Sequence, residues 1–229
     1  MHLRDALRTT GAVREFDDRP IADEVLAEVL DDARFAPSGG NRQSWRVVVV
    51  RDPDVRRQIG DLYRAGWYEY VAATNAGLVP WAPITDRAAE AAAFERGRDR
   101  AAAHEPLSGL AADIDHAPAV LVVLADLRYL AAIDRDLDRY SLVGGASIYP
   151  FAWSVLLAAR ERGIAGVMTT VLVRHEPEVL ALLDAPPELI VAATIVLGYP
   201  VAPPPTRLKR GEVSTFATFD SLAGPPLDA

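Results

Sequence analysis

Between positions 36 and 45 the chain reads Ala36-Pro37-Ser38-Gly39-Gly40-Asn41-Arg42-Gln43-Ser44-Trp45, a run rich in groups that bind rather than pack. Ser38 offers a hydroxyl, and Asn41 and Gln43 offer amides that both donate and accept. Gly39 and Gly40 let the backbone come close to a ligand. Together they suit a heterocycle edge on which carbonyl and N–H alternate, as in uracil. The same composition also makes a plain helix-to-strand turn, because Pro, Ser, Gly and Asn are turn formers. A second set is cationic: Arg207, Lys209 and Arg210 place three positive charges within four residues of a chain whose net charge is −8. A guanidinium fork on a phosphate is a strong bidentate contact, whereas without a ligand such a run is a solvated surface. A third set, Met168-Thr169-Thr170, closes a short extended piece whose plain reading is a strand packed in the core.

The elements around these groups follow from apolar spacing. Val25, Leu26, Val29, Leu30 and Ala33 recur at helical intervals after Pro20 and Asp23, and Pro37-Ser38-Gly39-Gly40 cannot continue that helix. Arg46 to Val50 is a β-branched run that reads as a buried strand. Asp52-Pro53 closes it, and Val55 to Tyr63 reads as helix. From Ala65 to His116 the pattern loosens: Trp67, Tyr68, Tyr70 and Trp81 crowd together with Pro80 and Pro83, ahead of an Ala- and charge-rich helix over about 86–103. Pro118 to Asp126 is a second strand. Gly145 to Arg162 is a long buried helix stopped by Gly163, Pro177 to Leu183 a short one, and Leu189 to Leu197 a third strong strand. The tail, residues 201–229, is rich in Pro and polar residues and reads as an arm that wraps another surface. One domain over 1–229 fits this order better than two.

Composition excludes several functions. With no cysteine there is no disulfide, thiolate nucleophile or Cys-ligated metal. The acidic net charge argues against non-specific nucleic-acid binding. The longest apolar stretches reach about ten residues, against roughly 20 for a membrane span. Arg4, Asp5 and Arg8 have no apolar run behind them, unlike a signal peptide. The expectation is a cytoplasmic protein with no membrane or nucleic-acid partner and no metal.

Several segments together resemble the nitroreductase family. Pro37, Ser38, Asn41, Gln43 and Trp45 match its Pro-Ser-x-x-Asn-x-Gln-Pro-Trp signature at unbroken spacing, with Ser44 in place of the second proline. Val13, Arg14 and Phe16 match its Arg-Arg-Ser-Val-Arg-x-Phe run, but Gly11 and Ala12 replace an Arg and a Ser that usually hold phosphate. Arg8, Thr9 and Thr10 are the available substitutes. Leu197-Gly198-Tyr199-Pro200, followed by Arg207-Leu208, resembles the family's ending, and Arg160 to Thr170 its Gly-Leu-Gly stretch after the central helix. The unmatched part is mainly the insert over 66–115.

The resemblance implies an α+β fold: a three-layer α/β/α sandwich with a mixed central sheet, a lid insert (66–115), and a C-terminal arm (201–229) exchanged in a homodimer whose flavin sites lie at the interface. It implies FMN held by Arg14, Pro37, Ser38, Gly39, Asn41, Gln43, Met168, Thr169, Thr170, Arg207, Lys209 and Arg210. Arg14 would serve the N1 side and a backbone N–H near Thr169 would serve N5. NAD(P)H would deliver hydride, and a small planar acceptor (nitroaromatic, quinone or enone) would then take its place, in ping-pong fashion. Trp67 and Tyr68 of the lid, with Tyr149 and Pro150, are the substrate candidates. No obligatory catalytic side chain is implied, since the cofactor carries the chemistry. Relatives with other flavin chemistry (dehalogenation, desaturation, flavin fragmentation) and a non-catalytic flavin-binding or storage protein remain alternatives.

Overall fold

The computed structural model describes residues 1–203 and 205–227. Its elements run α1 (Leu3–Thr9), α2 (Asp23–Ala33), β1 (Trp45–Val50), α3 (Pro53–Asn75), α4 (Arg87–Ala102), α5 (Leu110–Asp113), β2 (Ala119–Asp126), α6 (Tyr149–Glu161), β3 (Ala165–Thr169), α7 (Glu176–Leu182) and β4 (Leu189–Gly198). Pro204 and the last two residues of the expected arm lie outside the described residues. No described helix is long and apolar enough to cross a membrane.

The strands form one sheet in the order β1-β2-β4-β3. Every residue of β2 is buried. The pleat explains why the run is unbroken: Ala119, Leu121, Val123 and Ala125 face a core shared with α2 and α6, while Val120, Val122 and Leu124 face one shared with α3 and α7. Each fully buried Val or Leu contributes about 1.5–3 kcal/mol, so a strand apolar on both faces holds two helical layers onto one sheet. The three-layer sandwich is as expected. The sheet itself is not mixed: β1–β2, β2–β4 and β3–β4 all pair antiparallel, with a register shift between Val123 and Leu124. Continuous apolar runs report burial on both faces, and strand direction leaves no mark in them.

The insert is more ordered than its sequence reads. Asp52 caps α3 by accepting from the N–H groups of Asp54 and Val55 at 2.9 and 3.0 Å, with Pro53 in the first turn. The helix then continues past Tyr63 to Asn75 and packs against α4. Gly66 does not end it; it admits a neighbour, since a Cβ there would stand 2.7 Å from Val171 Cγ1. Tyr63, Trp67, Tyr70, Trp81 and Phe94 follow one another ring on ring, with centroids 5.9, 4.8, 6.0 and 5.7 Å apart.

Between β2 and α6 the chain has little regular structure, and buried Asp134 organises it. Its carboxylate accepts from Leu142 N (2.7 Å), Arg139 Nη1 (2.8 Å), Ser141 Oγ (2.9 Å) and Val143 N (3.2 Å). These donors, led by the Leu142 N–H, hold its pKa far below the ordinary carboxylate value despite burial. A depressed carboxylate stabilises the fold above its unfolded-state pKa, and that contribution is lost as pH falls through the lower folded value. Acid should therefore loosen residues 134–143 first. Proteolytic cutting within this loop should rise as pH drops below about 4. Asp134→Asn should already be cut at neutral pH, with little further change in acid; an unchanged wild-type pH profile in that variant would remove Asp134 from the role.

Candidate functional site

The loop ahead of β1 is held in a strained shape. Gly40, Asn41 and Gln43 have φ of 59°, 55° and 49°, left-handed values that cost a residue such as Gln43 on the order of 1 kcal/mol. Ser38 maintains the turn: its Oγ accepts from Gln43 N at 3.0 Å and its carbonyl from Asn41 N at 2.9 Å. Gly39 N in turn donates to Ser147 Oγ at 3.0 Å. Ser147, which the sequence reading did not single out, thereby fixes the loop to the segment leading into α6. Asn41 and Gln43 remain exposed, and the Gln43 amide donates to Asn41 Oδ1 at 3.3 Å. Pro37, Ser38 and Gly39 line a cleft of about 300 Å³ with Ala131, Ile133 and Val143.

A second group of predicted residues gathers at the other edge of the sheet. Val13 N donates to Gly166 O at 2.9 Å and Asp17 N to Tyr199 O at 2.9 Å, so the Arg14 segment is laid against β3 and the end of β4. Gly198 is required here, because a Cβ would stand 2.5 Å from the Phe16 ring. Arg14 is exposed and lines a cleft of about 360 Å³ with Phe16, Leu110 and His116. Tyr63, also missed in the sequence, is buried on α3 with its phenol close enough to Thr169 and Arg14 for both to act on its titration. Burial pushes its phenol above the ordinary value, with Thr169 and Arg14 opposing the shift. Met168 and Thr169 are half-buried and Thr170 is exposed.

The arm follows the same edge. Leu208 N donates to Arg8 O at 2.8 Å. Arg207, Lys209 and Arg210 are exposed, and none has a carboxylate within 4.0 Å among the described residues.

One chain therefore brings Arg14, Thr169 and, by way of α1, Arg207 to the β3 edge, but leaves the Pro37–Gln43 loop at the β1 edge. Three strand spacings separate β1 from β3, about 14 Å at the usual spacing of ~4.8 Å. Of the substrate candidates, Tyr149 is exposed, with its hydroxyl 3.4 Å from Ala192 O, and Pro150 is half-buried. Trp67 has rings stacked on both sides, and Tyr68 is buried with its hydroxyl donating to Glu105 O. Both are packed into the α3 layer, Trp67 half-buried and Tyr68 buried.

A one-sheet α/β/α sandwich, with the groups expected to bind a ligand divided between its two edges, is the class of protein that the fold defines. The chain belongs to the nitroreductase family, whose model, described as "Nitroreductase family", matches residues 7–199. It is 25% identical over 194 residues to a putative NADH dehydrogenase/NAD(P)H nitroreductase of Archaeoglobus fulgidus, covering 84% of this chain and 82% of that protein. It is likewise 25% identical over 228 residues to the nitrobenzene nitroreductase of Ectopseudomonas oleovorans, covering 95% and 96%. Among solved structures, an oxidized iodotyrosine deiodinase bound to FMN and 3-iodo-L-tyrosine superposes with a TM-score of 0.63 at 24% identity, covering 96% of this chain and 100% of that one.

Proposed function

We propose that this protein is an FMN-dependent oxidoreductase that takes electrons from NAD(P)H and passes them to a small planar acceptor, working as a homodimer in which each flavin site draws on both chains. The observation that carries the two-chain reading is the separation of the Pro37–Gln43 loop from Arg14, Thr169 and Arg207 at opposite sheet edges. A site needing both sets takes one from each subunit. The donor set fits FMN. Amides at Asn41 and Gln43, N–H and hydroxyl groups at Thr169 and Thr170, and carboxylate-free cations at Arg207, Lys209 and Arg210 match a polar heterocycle that carries a phosphate.

When bound, FMN supplies a centre that accepts and returns a hydride. The protein's residues do the rest. Arg14 supplies positive charge to stabilise the electron-rich pyrimidine side, Arg207 and Lys209 hold the phosphate, and the Ser38-braced loop presents its amides without reorganising. Pro37 and Gly39 border the neighbouring cleft, and Met168 of β3 would be a further contact to the bound FMN. Tyr149 and Pro150 are the contacts to an acceptor. The nitroreductase and NAD(P)H names of the relatives support this assignment of donor and reaction.

Mixing two damaged chains tests the reading. Arg207→Ala and the double variant Asn41→Ala/Gln43→Ala should each purify nearly colourless. Unfolded and refolded together, they should regain flavin absorbance at one site per mixed dimer, and NADH or NADPH should bleach it. Colour retained by both variants alone, or no recovery on mixing, would defeat the shared-site reading. Recovered colour that neither nicotinamide bleaches would defeat the enzyme.

A further inference from the structure

Gly11 and Ala12 leave open two positions where the family's pattern carries an Arg and a Ser, and the structure shows what Gly11 is used for. A Cβ at Gly11 would stand 3.0 Å from Leu208 Cδ2 and 3.3 Å from Pro205 Cγ. Any side chain there would compete for the space in which the arm sits. The arm is tied down beside it by the bond from Leu208 N to Arg8 O, which sets the backbone of Arg8 alongside the residues flanked by Arg207 and Lys209.

The three substitutes available on α1 are not equal. Thr9 Oγ1 is engaged twice, donating to Asp5 O and accepting from Arg160 Nη2, both at 2.7 Å. Thr10 Oγ1 is fully covered and out of a ligand's reach. Arg8 is exposed and, among the described residues, has no carboxylate within 4.0 Å. Arginines elsewhere in the chain, Arg19, Arg64 and Arg162 among them, sit on carboxylates. Three unneutralised cations on two segments joined by a hydrogen bond repel one another, and a phosphate dianion would offset that repulsion.

We propose that Arg8 takes over the phosphate-binding role left open at Gly11 and Ala12, and that seating of Leu208 on Gly11 is what brings Arg8 together with Arg207 and Lys209. This rests on the FMN reading above. Titration of flavin-stripped dimer with FMN and, separately, with riboflavin isolates the phosphate, with flavin fluorescence quenching as the readout. Arg8→Ala should weaken FMN about tenfold or more and leave riboflavin unchanged, and Arg8→Lys should recover part of the loss. Gly11→Leu, which retains Arg8 but unseats the arm, should also erase the preference for FMN over riboflavin. An Arg8→Ala protein that binds FMN like wild type, or loses both flavins equally, overturns the proposal while leaving the FMN reading intact. A wild-type protein that binds neither flavin overturns both.

Discussion

Arg207→Ala should purify with almost none of its FMN. A hydrogen bond to a charged group is worth about 1.5–3 kcal/mol, so losing the guanidinium fork raises the FMN Kd about 10–150-fold. That is enough to strip the cofactor during dilution and chromatography. Arg207 is exposed, and no described hydrogen bond uses its side chain. The flavin-free variant should therefore melt within about 0.5 kcal/mol of flavin-free wild type. The ratio of flavin to protein absorbance after gel filtration is the measurement. A full complement of FMN would transfer the phosphate to other groups, and a collapse of the melting temperature without flavin would make Arg207 structural.

The largest expected effect on stability is at Gly166. A Cβ there would stand 2.3 Å from Val196 O and 2.6 Å from Leu197 Cδ2. The first is backbone of the paired strand, where Gly166 lies opposite Leu197, and cannot move without breaking the β3–β4 ladder. Gly166 O also accepts from Val13 N, so the shift would reach the Arg14 segment. Gly166→Ala should cost about 3 kcal/mol or more, a large share of the 5–15 kcal/mol typical of a folded protein. At about 2–4 °C per kcal/mol for a chain of this size, the melting temperature should fall by roughly 6–12 °C. A variant that melts with wild type would mean that the strands accommodate the methyl by sliding apart.

Much of this was legible in the sequence where the physics is local. The helical spacing of Leu26, Val29 and Ala33 and the apolar runs of β1, β2 and β4 gave those elements correctly, because burial on one or two faces is written into residue type. Where the sequence misled, a contact distant in sequence decided the outcome. The helix was expected to end at Tyr63 because the pattern loosens from Ala65, yet it runs on to Asn75, where Gly66 makes room for Val171 and the aromatic rings pack against one another. α1 has a weak apolar face and was not expected. Asp134 is one acid among many until four donors converge on it. Ser38, Asn41 and Gln43 were identifiable as binding groups, but their distance from Arg14 was not, since only the strand order places β1 and β3 at opposite edges. Ser147 carried no signal of its own, because it matters through a single partner distant in sequence, the N–H of Gly39.

The strand order also bears on how the chain is made. β4 is the last strand to be synthesised, yet it lies inside the sheet, between β2 and β3. Until residues 189–198 have left the ribosome, β2 lacks its central neighbour and β3 lacks its partner strand. β1 and β2 can meet earlier, but only across the intervening α3–α4 stretch, a long loop whose closure is slow. A nascent chain of this protein thus carries the buried run of β2 half-covered until residues 189–198 emerge, and only then can its sheet close.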